Sequence, residues 1–205
     1  MTLRARIAAL VVVWAVSPAA RAAAPKDCSK DPAPAGKLVL RIDDQAIPLG
    51  VATLRSQQKM SIGGEEGSEP ESFEVFAFSF RDAASIFPPH EVSVSVMVRE
   101  GESLAGKTFR QLPVADQKQQ PTPVQSSGTW MPEVQSVEVS SEPDDIDYEH
   151  GVLASLRLDL GERNGDVQPG RIRLCIGAGQ TDETFQPEPT RAVLVEGAFE
   201  AKQGP

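Results

Sequence analysis

The amino-acid sequence predicts an all-β fold: an antiparallel β-sandwich of about eight strands, with a closed β-barrel as the alternative arrangement of the same strands. Three observations predict it. Apolar residues recur with period two in four separate segments, and in a strand that period sends one side of the chain to a core and the other to solvent. Outside the first 22 residues no long stretch carries the apolar spacing of an amphipathic helix. The 17 prolines and 16 glycines fall mostly between the strand segments, as turns in an antiparallel all-β domain require.

The elements follow in chain order. Arg4 and Arg6 precede an apolar run from Ile7 to Val16, then Ser17-Pro18 and the small residues Ala19-Ala20-Arg21-Ala22. This is the basic, apolar, small-residue order of a secretory signal peptide, with cleavage expected after Ala22. The apolar run is half the roughly 20 residues that span a bilayer as a helix, so no membrane insertion is expected after cleavage. Residues 23–36, rich in Pro, Asp, Ser and Lys, read as an extended N-terminal tail, and residues 37–205 as one domain of ordinary size.

Within that domain Leu38, Leu40 and Ile42 alternate with Lys37, Val39 and Arg41, and Val92, Val94, Val96 and Val98 alternate with Glu91, Ser93, Ser95 and Met97. Leu156, Leu158 and Leu160 alternate with Ser155, Arg157 and Asp159, and Ile172, Leu174 and Ile176 with Arg171, Arg173 and Cys175. Each is a half-buried strand. Further strands are expected at residues 47–55, 73–80, 134–139 and 191–199, the second of them apolar on both faces and therefore central. Residues 113–133, with four prolines, read as a long loop. The Asn164-Gly165 pair marks a hairpin between two well-patterned strands.

Charge and cysteines bound the chemistry. Loss of Arg4, Arg6 and Arg21 with the leader leaves 17 basic against 29 acidic residues, a net charge near −12. No contiguous basic stripe interrupts this acidity, so nucleic acid is not an expected partner. The protein is expected to be exported, to the periplasm or beyond the cell, where thiols oxidise. Its two cysteines, Cys28 and Cys175, are accordingly expected to form a disulfide. By strand phase Cys175 lies on the polar face, so the bond should clip the tail across an outer surface.

Gly101 to Thr108 matches the phosphate-binding loop pattern, but that loop must feed a helix, and Pro113 follows too soon. It reads as a glycine-bearing turn. Asp145, Asp147 and Glu149 would share one face of an extended segment and are weak calcium candidates; no other cofactor is implied. The histidines, His90 and His150, lack short-range catalytic or zinc partners, and no G-x-S-x-G elbow is present. No catalytic or cofactor-binding residue is assigned. Trp130 and Tyr148 are possible ligand contacts, since flat amphipathic rings serve sugar and protein recognition alike.

The segments Leu156 to Gly161, Gly170 to Ile176 and Val195 to Ala201 resemble the C-terminal part of uncharacterised exported bacterial β-rich proteins, which also carry a Leu-Cys strand followed by a Gly-x-Phe strand. The resemblance implies a bacterial envelope setting and no activity. The function expected is therefore a binding or structural-association module for a protein or glycan, with a secreted hydrolase assembled in space, or a calcium-stabilised module, as alternatives.

Overall fold

The computed structural model describes residues 28–62, 70–112, 124–126, 129–144, 146–148, 154–177 and 191–204. The expected signal peptide, residues 1–22, and residues 23–27 lie outside that set. Among the described residues the chain is all-β, with one short 3₁₀ turn at Glu142–Asp144. The strands are β1 (Val39–Ile42), β2 (Gln45–Pro48), β3 (Val51–Ile62), β4 (Glu71–Arg81), β5 (His90–Arg99), β6 (Thr108–Gln111), β7 (Val124–Ser126), β8 (Thr129–Met131), β9 (Val134–Ser141), β10 (Ile146–Tyr148), β11 (Ala154–Leu160), β12 (Val167–Ile176) and β13 (Val193–Gln203).

Eleven of these strands form one open, mixed sheet in the order β10-β9-β5-β4-β3-β13-β12-β11-β6, with the β1–β2 hairpin attached to β13; β7 and β8 form a separate hairpin. The purely antiparallel sheet expected from the sequence is corrected at one joint. The first residues of β13 pair antiparallel with β1, and its end pairs in parallel with β3 through Lys202–Thr53 and Gln203–Leu54. The joint is local and depends on Gly197, whose φ is +139°. A Cβ there would stand 2.5 Å from the Lys37 carbonyl oxygen and 2.6 Å from Leu38 Cα. Only glycine lets the incoming chain come this close before β13 changes partner.

The strand expected over residues 47–55 is two, broken at Leu49-Gly50, and the stretch expected as a long loop contains the β7–β8 hairpin. Val124, Thr129 and Trp130 are residue types at home in strands. β4 is interior, as its apolarity implies, but it changes its buried face along its length. Phe78 and Phe80 point into the main core, while Phe73 and Val75 join Met97 and Met60 in a small second cluster. Since neighbours in a strand alternate, the two clusters lie on opposite faces of β4. The partner strand β3 carries an irregularity between Ser56 and Gln58, opposite the point of change.

The main core takes residues from strands at both ends of the ladder, including Val137 and Val139 of β9 and Leu156 and Leu158 of β11. The Phe199 ring of β13 meets Phe80 of β4 edge-on at 4.9 Å and Phe78 at 5.9 Å. Gly170 of β12 makes room for it: a Cβ there would lie 2.4 Å from Phe199 Cζ. Among the described residues no helix is long and apolar enough to cross a membrane.

Candidate functional site

The outer face of β6, β11, β12 and β13 is built by register. Arg157 stands directly opposite Arg110 on one side and Arg173 on the other, so three arginines from distant parts of the chain form one row across three strands. Like charges directly opposite are destabilising and need neutralising neighbours. Arg157 Nε donates to Asp159 Oδ2 at 2.8 Å, and its Nη1 donates to the Lys30 carbonyl at 3.0 Å. Arg173 lies 3.8 Å from both Asp31 and Glu196. Arg110 is exposed and pairs with no carboxylate among the described residues. The row exists only after the strands pair, because its members are far apart in the linear sequence.

The N-terminal segment crosses this face as a strap. Cys28 is bonded to Cys175, with 5.9 Å between their Cα atoms, and its amide donates to Ser155 Oγ at 2.8 Å. Cys175 lies on the outer face, as its strand phase predicts, and Ser155 sits opposite it in register. Ser155 shares the parity of Arg157 and Asp159 yet is fully buried, because Cys28 covers it. Further along, Ala33 is buried and the Gly36 carbonyl accepts from the Ala198 amide at 2.8 Å.

Where the strap leaves the face, a groove of about 1050 Å³ opens between the tail, the β2–β3 junction and the ends of β11 to β13. Its apolar wall includes Leu38, Leu49, Pro169, Ala198 and Phe199, and Lys37, Arg171 and Lys202 supply positive charge. Arg171 and Lys37 both pair with Ala198 in register, one on each side, so two cations flank a floor only a methyl group high. Asp159 and Glu200 are the carboxylates that line it.

A second polar constellation lies at the other end of β1 and β13. His90 Nδ1 is 2.9 Å from Ser141 Oγ, Ser141 Oγ donates to Asp144 Oδ2 at 2.8 Å, and Arg191 donates to Asp144 Oδ1 at 2.7 Å and to Asp43 Oδ2 at 2.6 Å. His90 Nε2 stands 4.0 Å from Asp82. The serine has one proton and gives it to Asp144, so His90 Nδ1–H is the donor to Ser141. The Asp144 carboxyl is held below the usual carboxylate range first by the Ser141 hydroxyl and then by Arg191. These residues meet as Ser, His and Asp do in hydrolases, but with the serine proton directed to the aspartate and Ser141 0% exposed. Nucleophilic attack needs an accessible serine whose proton is taken by the histidine, so this arrangement is a structural clamp between β5, β9 and the chain around residue 191.

The remaining sequence candidates are placed as follows. Asp147 is exposed on β10, whereas Asp145, Glu149 and His150 lie outside the described residues, and no group of three or more potential metal ligands occurs among those described. Tyr148 is 4% exposed, in the core, because the period of β10 buries Ile146 and Tyr148 together. That position removes it as an exposed ligand contact. Trp130 lies in β8, paired with Gln125. The Gly101–Thr108 segment is a turn: Lys107 Nζ donates to Glu102 at 2.6 Å, Leu104 anchors it in the core, and Thr108 opens β6 and no helix. Thr108 Oγ1 donates to Asp159 Oδ1 at 2.8 Å.

Sequence reasoning missed the arginine row, Ser141, Asp144 and Arg191. The only signal for the row was parity, since Arg110, Arg157 and Arg173 all occupy polar positions of their strands. No family model matches the chain, and neither a curated protein nor a solved structure matches it.

Proposed function

We propose that the protein is an exported module of the periplasm or cell exterior that works without catalysis, by binding an acidic partner on the outer face of β6, β11, β12 and β13. The observation that carries this reading is the cross-strand row Arg110–Arg157–Arg173, continued by Arg171, Lys37 and Lys202 around the groove, on a chain whose formal net charge is −9. An acidic protein concentrates cations on one face at a cost in self-repulsion, and guanidinium groups suit bidentate capture of carboxylates. The disulfide-clipped strap supports an oxidising compartment, and the leader, read from sequence, supports export.

The open mixed sheet is read as a sandwich. β10-β9-β5-β4-β3 would form one layer and β2-β1-β13-β12-β11-β6 the other. The contact of Phe80 in β4 with Phe199 in β13 supports this, because those strands are not neighbours in the ladder.

The test is calorimetric titration of the exported protein with polyglutamate and with a polyuronate at low and high salt. Binding should weaken at least tenfold in Arg110→Glu, whose side chain is exposed, with no change in melting temperature. It should also weaken with rising salt, as screened surface charges do. No binding to either polyanion at low salt overturns the proposal.

A further inference from the structure

Ile86 and Phe87 are 87% and 86% exposed, the large apolar side chains left open among the described residues. They sit side by side at the tip of the loop between β4 and β5, and the loop holds them there. Ser85 Oγ accepts from the Phe87 amide and donates to the Phe87 carbonyl, both at 3.1 Å, while Arg81 Nη1 donates to the Ser85 carbonyl at 3.3 Å. Pro88 and Pro89 follow; a proline confines the residue before it to extended conformations, and the Pro89 carbonyl accepts from the Glu142 amide at 3.1 Å. A scattered exposed leucine needs no explanation, but an adjacent pair fixed outward by its own loop marks an interaction surface.

The tip's surroundings are acidic. Glu142 is exposed beside Pro89 and Asp82 opens the loop. Asp43 and Asp144, on Arg191, lie at the same end, with Asp44 exposed next to Asp43. Arg81 and Arg191 are the cations among them. Such a surround disfavours an anionic bilayer and favours a concave apolar site ringed by cations. The groove on the outer face approaches that kind: it joins Leu38, Leu49, Pro169 and Phe199 with Lys37, Arg171 and Lys202, which outnumber its carboxylates Asp159 and Glu200, and it encloses about 1050 Å³.

We infer that the acidic partner is a second copy of this chain, whose Ile86–Phe87 tip seats in the Lys37–Arg171–Lys202 groove; this rests on the acidic-partner reading of that face. Tip and groove are different surfaces, so the contact is heterologous and runs head to tail, and it either closes into a ring or extends. A tip-to-tip pair would set two acidic surrounds against each other, and like charges across an interface oppose association.

Sedimentation of the exported protein at low salt tests this with two double variants, Ile86→Ser/Phe87→Ser and Lys37→Glu/Arg171→Glu. All four residues are exposed, and circular dichroism checks that each variant is folded. The wild type should associate with rising concentration, and association should fall at least tenfold in each variant alone. A mixture of the two should give a one-to-one dimer and nothing larger, because one intact tip then faces one intact groove.

A wild type that stays monomeric, a tip variant that assembles like the wild type, or a mixture that stays monomeric overturns the inference. Binding of the wild type to phosphatidylcholine vesicles, lost in the tip variant and without self-association, also overturns it in favour of a lipid surface. The tip variant should keep wild-type binding to polyglutamate. If self-association fails while that binding persists, only the second-copy partner is lost; if both fail, the acidic-partner reading falls too.

Discussion

Ser141 donates a hydrogen bond to Asp144 and accepts one from His90, so a single hydroxyl joins β5, β9 and the 3₁₀ turn. Truncating it leaves the His90 N–H without its partner in a nearly closed site, and a buried donor left unpaired costs about 1–3 kcal/mol. Ser141→Ala should therefore lower the unfolding free energy measured in urea by that amount at pH 7. Asp144, whose side chain is 9% exposed, carries a pH signature. Its folded pKa is depressed, by the Ser141 hydrogen bond first and by Arg191 next. A depressed carboxyl stabilises the fold above its unfolded pKa, about 3.9 for aspartate, and the contribution disappears as pH falls through the folded value. Asp144→Asn should be less stable than wild type at pH 6, and the gap should narrow as pH falls below the unfolded value of about 3.9 and close once the folded carboxyl is protonated. A gap that stayed constant across that range would show that Asp144 acts through packing and not through charge.

At the scale of elements, the strands that the alternation described best are those whose partners do not change. β11 and β12 bury Leu156, Leu158, Ile172, Leu174 and Ile176 and turn out Arg157, Arg171, Arg173 and Cys175, because one register holds from Ala154–Ile176 to Leu160–Gly170. The disulfide was legible from the two cysteines and the expected export, and its surface position from that parity. Alternation cannot see a shift of register or a change of partner. The irregularity at Ser56/Gln58 faces the place where β4 exchanges one buried face for the other, so Phe73 and Phe80 both read as core while belonging to different clusters. The arginine row was hidden for a related reason, since its members lie 47 and 16 residues apart along the chain and only pairing aligns them.

The partner change in β13 gives the test at this scale. Gly197→Ala combines a backbone at φ +139° with a Cβ 2.5 Å from the Lys37 oxygen, and should cost about 2 kcal/mol or more. Gly36→Ala, where a Cβ meets nothing within 4 Å, should stay within about 0.5 kcal/mol. Equal effects of the two in chemical denaturation would remove the close approach as the reason for glycine at 197.

For the molecule as a whole, the Cys28–Cys175 bond links positions separated by 147 residues, which is nearly the entire described chain. In the chain-entropy view a crosslink acts on the denatured ensemble, and a loop this long corresponds to roughly 5 kcal/mol before strain and residual structure are counted. Beside its buried residues Cys28, Ser29 and Ala33 the strap makes surface pairs: Asp31 with Arg173 at 3.8 Å, and the Lys30 carbonyl with Arg157. Exposed ion pairs are worth about 0–1 kcal/mol, so these contacts cannot supply the same stability. Cys28→Ser/Cys175→Ser should therefore lose several kcal/mol in guanidinium unfolding, and it should also show a larger denaturant slope, because an unlinked chain exposes more surface when it unfolds. Reductant should reproduce both changes in the wild type and leave the double variant unaffected. A loss with the slope unchanged would instead place the stabilisation in the folded state, with the strap's packing over Ser155 as its source.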